Sequence, residues 1–352
     1  MVLLGGALGS LFSLLQAIAS PIIGTLSDRY GRRTALLFSM AGNLASVALW
    51  VSASTFPIFL ASRVVGGLTE GNVQLAIAIA TDVSDGPQER TATLALVGVA
   101  FSVAFTLGPM MGAYMATRQL SEENPFMSAA LFSLALIVIE TIFVYVKLPE
   151  TRPLEKKPVP AGEKPVVLDT SGLKMLNLTH FLFLLIFSGM EFSLSFMTYD
   201  LFSYTSIQNG KLLGFIGLLS SLLQGGYVRR KPPGFIAKTG LVSCTIAFFL
   251  LSRVKTQTEL YVAAVFLAVT SACVVTGLTA LASLRVGEME RGKVLGGFRS
   301  AGQVGRAMGP VAFCSLYWWA GRDVAYIVGG VGMVGVVATS WRVLRVPKTK
   351  ET

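Results

Sequence analysis

Apolar stretches of roughly 20 residues recur along this chain from one end to the other. No other feature limits its fold as strongly. A helix rises about 1.5 Å per residue, so about 20 apolar residues cross a hydrocarbon core of about 30 Å. Eleven such stretches are predicted as spans, at roughly 1–26, 34–53, 56–81, 92–117, 125–147, 175–201, 208–228, 233–252, 258–284, 294–320 and 323–344. Charged residues make up only 14% of the chain, against about 25% in soluble domains. That is too little charge to coat a folded surface in water, which excludes a soluble enzyme and a disordered chain. The first stretch is not read as a cleaved signal, because it lacks a basic start and no polar mature region follows.

The polar stretch 148–174, rich in Pro, Lys and Glu, cannot bury a core and reads as a linker. The expected organisation is therefore a first bundle at 1–147, a cytoplasmic linker at 148–174, a second bundle at 175–346 and a tail at 347–352. Three dispersed cysteines and a single histidine support neither a metal site nor a disulfide framework. No catalytic residue and no bound cofactor is expected.

The two halves share a repeat. Residues 89–109 read ERTATLALVGVAFSVAFTLGP and residues 290–310 read ERGKVLGGFRSAGQVGRAMGP. Glu89, Arg90, Gly108 and Pro109 return as Glu290, Arg291, Gly309 and Pro310, a constant offset of 201. This is the pattern of parallel homologous halves. Three spans precede the repeated segment in the first half and four in the second. The halves match if the first half lacks its opening helix, so the chain reads as helices 2–12 of a twelve-helix plan.

Charge placement orients the chain. With the 27–33 loop cytoplasmic, the cytoplasmic segments hold 20 of the 29 Lys and Arg residues and the opposite side holds five. This bias puts the C-terminus in the cytoplasm. It also explains the net charge of +10 without a nucleic-acid partner.

Four motifs carry the functional reading. The first is Gly24-Thr-Leu-Ser-Asp28-Arg29-Tyr-Gly31-Arg32-Arg33, between the first two spans. Gly24 permits close helix approach, Gly31 permits a tight turn, and Asp28 can meet a helix N-terminus or an arginine. A plain basic turn that only sets topology is the competing reading. The second is Ala95…Ala104…Gly108-Pro109-Met-Met-Gly112-Ala113, where the proline kinks a span and small residues admit a neighbouring helix. The third is Arg63-Val-Val-Gly66-Gly67-Leu-Thr-Glu70. Arg63 and Glu70 are seven residues apart and share a helix face, although Arg63 could snorkel to the near interface. The fourth is Arg299 and Arg306, again seven apart, together with the intramembrane acids Glu191 and Glu140. Ionisable residues inside spans mark function by default. Glu191 reads either as a reversibly protonated acid or as a structural arginine partner.

The first motif meets every fixed position of G-x-L-x-D-R-x-G-R-R/K, and on it the chain resembles the major facilitator superfamily. The second is similar to the helix 5 antiporter motif of drug-efflux members, with Ala95, Ala104 and Ala113 in place of glycines. Arg63-Val-Val-Gly-Gly, Phe101 to Pro109 and Leu148-Pro-Glu-Thr151 resemble the tetracycline-efflux-like branch and the animal tetracycline transporter-like organic anion transporters. The resemblance implies an all-α, two-bundle polytopic membrane fold with about 11 transmembrane helices. It implies a monomeric secondary transporter in the plasma membrane or an organelle membrane. Such a transporter would move organic anions or drugs by alternating access in exchange for protons. Gly24, Asp28, Arg29, Gly31, Arg32 and Arg33 would form the gate, and Gly108, Pro109 and Gly112 the helix 5 hinge or seal. Arg63, Glu70, Glu191, Arg299 and Arg306 would serve coupling or substrate charge. The alternative is a non-transporting relative that binds or regulates a partner.

Overall fold

The computed structural model describes residues 2–84, 86–116, 120, 124, 126–152, 170–287 and 290–344. Side chains of 2–9, 105, 109, 110, 113, 116 and 206 fall outside that description. So do most of the expected linker (153–169), the C-terminal residues 345–352 and the Pro109 ring.

The described residues are helical almost throughout. In chain order the helices are α1 (Val2–Tyr30), α2 (Arg32–Val51), α3 (Phe56–Thr69), α4 (Asn72–Asp82), α5 (Gly86–Ala116) and α6 (Met127–Lys147). They continue with α7 (Thr170–Phe202), α8 (Ser206–Gly226), α9 (Pro233–Arg253), α10 (Gln257–Ser283), α11 (Arg291–Ala320) and α12 (Arg322–Ser340). Local chemistry sets several starts. Thr205 with Gln208 and Thr256 with Glu259 form capping boxes at α8 and α10. Proline lies in the first turn of α3 and of α9.

The span expected at 56–81 is not continuous. It breaks at Glu70 and Gly71, where Glu70 leaves helical geometry at ψ 89. The cause is a side chain from another helix. Ser39 Oγ of α2 bonds the Thr69 carbonyl and accepts the Gly71 N–H at 2.8 Å. It thereby replaces partners that a continuous helix would have supplied. Nine stretches among the described residues are long and apolar enough to cross a membrane. The broken α3–α4 pair and α11, which carries Arg291, Lys293, Arg299 and Arg306, complete the eleven predicted from sequence.

The chain divides into two compact units. The first comprises Met1–Val83, Gly108–Glu163 and Gly287–Gln303. Its buried apolar centre includes Ala19, Ile23, Leu36, Met40 and Leu75. The second comprises Ser84–Leu107, Lys164–Val286 and Val304–Thr352. One of its apolar clusters joins Ala95, Val228, Ile236, Ala272 and Cys273.

The repeated Glu-Arg starts behave alike in the two units. In the first unit Arg291, opening α11, donates to the Thr81 carbonyl at 3.4 Å in the last turn of α4. In the second unit Arg90, in the first turns of α5, donates to the Ser283 carbonyl at 3.0 Å at the end of α10. A cation at the carbonyl end of a helix is electrostatically favourable. The repeated residues thus fill equivalent structural positions.

Candidate functional site

The Asp-Arg-x-Gly-Arg-Arg motif forms a buried charge cluster within the first unit. Gly31, at φ 100, supplies a left-handed turn between α1 and α2 that disfavours side chains. That turn sends Arg32 inward, where it is only 1% exposed. Its guanidinium donates to Asp28 Oδ1 at 2.6 Å, Ser27 Oγ at 2.7 Å and Asp82 Oδ2 at 2.8 Å. The Asp82 carboxylate is fully buried and also accepts from Arg291 at 3.0 Å. Each charge in this chain of pairs has an opposite neighbour, which is the condition for burying it.

The same cluster caps two helices from outside. Asp28 accepts the backbone N–H of Gly292 at 2.9 Å and of Lys293 at 2.7 Å, so it serves the N-terminus of α11. Glu150 accepts the N–H of Arg32 at 2.7 Å and of Arg33 at 3.2 Å, serving the N-terminus of α2. It also accepts from Thr151 and Arg152, which explains the Leu-Pro-Glu-Thr ending after α6. Arg33 reaches the Tyr145 carbonyl at 2.6 Å, and Arg29 lies over the Tyr30 ring. Gly24 faces Gly292 across α1 and α11. A Cβ there would stand 2.7 Å from the Gly292 carbonyl carbon.

The helix 5 motif has different surroundings. Among the described residues, a Cβ at Gly108 or Gly112 would meet nothing within 4 Å. Their repeat counterpart is packed. A Cβ at Gly309 would stand 3.1 Å from the Gly189 nitrogen, on α7.

The interior charges separate into two sets. In the first unit Glu70 sits at the α3–α4 break, 3.3 Å from Asn43 Nδ2 and within electrostatic reach of Arg299 and Glu140. It is not paired with Arg63, despite their seven-residue spacing. The Arg63 guanidinium instead lies among the rings of Trp50, Phe59 and Phe12. In the second unit Arg306 Nη2 donates to Glu191 Oε2 at 3.3 Å, linking α11 to α7. These side chains are 40% and 35% exposed.

Sequence reasoning did not identify Asp82, which holds both Arg32 and Arg291. The only signal was a polar Thr-Asp pair closing a span. It also missed Tyr317, whose hydroxyl donates to Asp200 at 3.1 Å, and Tyr326, bonded to Ser193 at 3.0 Å. Both belong to an aromatic cluster with Phe248 and Phe313.

The comparisons agree with this architecture. The model of the Major Facilitator Superfamily matches residues 2–310. Major facilitator superfamily domain-containing protein 10 of Mus musculus is 36% identical, over 93% of this chain and 76% of that protein. The tetracycline resistance protein, class E, of Escherichia coli is 27% identical, over 89% of this chain and 78% of its own length. A crystal structure described as the human organic anion transporter MFSD10 (TETRAN) superposes with a TM-score of 0.88 at 34% identity. It covers 96% of this chain and 84% of that one. With the buried charge cluster, the repeated helix starts and these matches together, the chain belongs to the major facilitator superfamily of membrane transporters, not to an enzyme family.

Proposed function

We propose that this chain moves small amphipathic organic anions or drugs across a membrane by alternating access, in exchange for protons, as a monomer with a cytoplasmic C-terminus. The observation that carries this reading is the Arg306–Glu191 pair. A guanidinium and a carboxylate meet between two helices, and both remain partly exposed. Ionised Glu191 holds Arg306, and protonated Glu191 releases it. An exchanger passes through both states once per cycle, with solute and proton taking turns. Glu70 with Arg299 offers a second such carboxylate, at a helix break of the kind that lines transport sites. The gate cluster of Asp28, Arg32, Asp82 and Arg291 latches one state. The names of the relatives, a tetracycline resistance protein and an organic anion transporter, support the solute class.

Proteoliposomes test this directly. Acid-loaded vesicles are expected to accumulate a labelled organic anion as protons leave, and a protonophore is expected to stop it. If neither polarity of pH gradient moves an organic anion or a cationic drug, the reading fails. Glu191→Gln is expected to cut the pH-driven component at least about tenfold while solute-for-solute exchange persists. Its effect on stability is expected to stay within about 1 kcal/mol, since the pair is partly exposed. A denaturation midpoint measured beside the flux separates the two effects.

Glu70→Gln is expected to lower the pH-driven flux as well, with the neutral amide keeping its Asn43 contact. Equal flux in wild type and Glu70→Gln would remove Glu70 from the coupling path and leave Glu191.

A further inference from the structure

Arg63, Lys238, Arg299 and Arg306 are basic residues that lie away from the ends of their spans. The structure accounts for three of the four. Arg306 pairs with Glu191, Arg299 acts on Glu70, and the Lys238 ammonium lies 4.5 Å from the centre of the Trp341 ring. The remaining acids of the first unit's cluster are also engaged, Asp28 and Asp82 by Arg32 and Arg291 and Glu150 by backbone amides. Arg63 has no carboxylate partner among the described residues.

Its surroundings are specific. The guanidinium carbon lies 5.2 Å from the centre of the Trp50 ring, 5.5 Å from that of Phe59 and 6.0 Å from that of Phe12. The Nε–H makes a long contact of 3.4 Å to Ser62 Oγ. Arg63 and the three aromatic residues are all partly exposed. Ring faces hold and orient a guanidinium, but they carry no net charge to neutralise it. The planar group presents a fork of donors suited to a carboxylate or sulfonate. The same rings offer a stacking wall for an aromatic body.

We propose that Arg63, walled by Trp50, Phe59 and Phe12, is an anion-recognition subsite for amphipathic aromatic organic anions bearing a carboxylate or sulfonate. The subsite rests on the transport reading above, because it supplies that transporter's charge selectivity. It is separate from the Arg306–Glu191 pair, so anion recognition and proton binding fall on different side chains.

The test measures binding without requiring flux. The full chain is purified into nanodiscs and titrated with 2-naphthoate and, separately, with its neutral amide, 2-naphthamide. Wild type is expected to prefer the carboxylate by about tenfold or more. Arg63→Gln is expected to abolish that preference, Arg63→Lys to keep part of it, and Trp50→Leu to weaken both probes by a similar factor. If wild type shows no carboxylate preference, or Arg63→Gln retains it in full, the proposal is overturned. If Arg63→Gln does not fold, Arg63→Lys and Trp50→Leu decide, and unchanged binding in both overturns it. Carboxylate-selective, Arg63-dependent binding without any vesicle flux would sink the transport reading and leave the subsite standing. Flux whose anion selectivity survives Arg63→Gln would do the reverse.

Discussion

Replacing Arg32 with alanine is expected to lower the stability of the first unit by about 3–5 kcal/mol, the cost of breaking a buried ion pair from one side. Arg32 is 1% exposed, and its guanidinium donates to both Asp28 and Asp82. Removal leaves Asp82, fully buried, with Arg291 alone, and removes the cation beside Asp28 where Asp28 caps α11. Arg32→Lys should recover only part of the loss, because one ammonium cannot reproduce the forked contacts to two carboxylates and a serine. Thermal melts of the purified chain read the difference. Arg33→Ala, whose side chain reaches the Tyr145 carbonyl and ring but no carboxylate among the described residues, serves as the control. An Arg32→Ala melt no lower than that of Arg33→Ala would contradict the buried network.

The second large effect is expected at Gly24. A methyl group there would meet the backbone of Gly292, and backbone cannot rotate away as a flexible side chain can. α1 and α11 must separate locally, at a cost of about 1–3 kcal/mol for overpacking. The shift would also pull Asp28 from the amides of Gly292 and Lys293, a cap worth about 1 kcal/mol. Gly108→Ala is the matched comparison. Its added methyl meets nothing within 4 Å among the described residues, and alanine is the better helix former by about 0.5–1 kcal/mol. Gly24→Ala is therefore expected to lower the melting temperature and the transport rate, while Gly108→Ala leaves stability equal or slightly higher. Equal melting temperatures for the two variants would show that α1 and α11 do not approach closely in the membrane.

The positions of the spans were legible because apolar length is a local property. The Asp-Arg-x-Gly-Arg-Arg turn was legible for a related reason. Its glycine needs a left-handed backbone, and its charges must lie at the end of a span. The partnership of Arg306 with Glu191 could also be anticipated, since a guanidinium deep in a span requires an acid and few are present. The break at Glu70 could not. Ser39, which satisfies the Thr69 carbonyl and the Gly71 amide, lies on a different helix. Arg63 and Glu70, whose spacing predicts a shared face along a continuous helix, meet different surroundings, because α3 ends at Thr69 and Glu70 leaves helical geometry. The close packing expected at Gly108 and Gly112 is seen instead at Gly309, although the two segments repeat the same Gly-Pro step.

By itself, then, the sequence determined the membrane class and the two-fold repeat, because each depends on residues within a window of one helix. Only the tertiary structure decided which charge meets which. It matched Asp82 to Arg32 and Arg291, Glu150 to the start of α2, Asp28 to the start of α11, and Arg63 to three rings in place of an acid. Most of those partners are far apart in the chain, and in a low-dielectric interior the free energy of a charge is set by its nearest opposite charge in space.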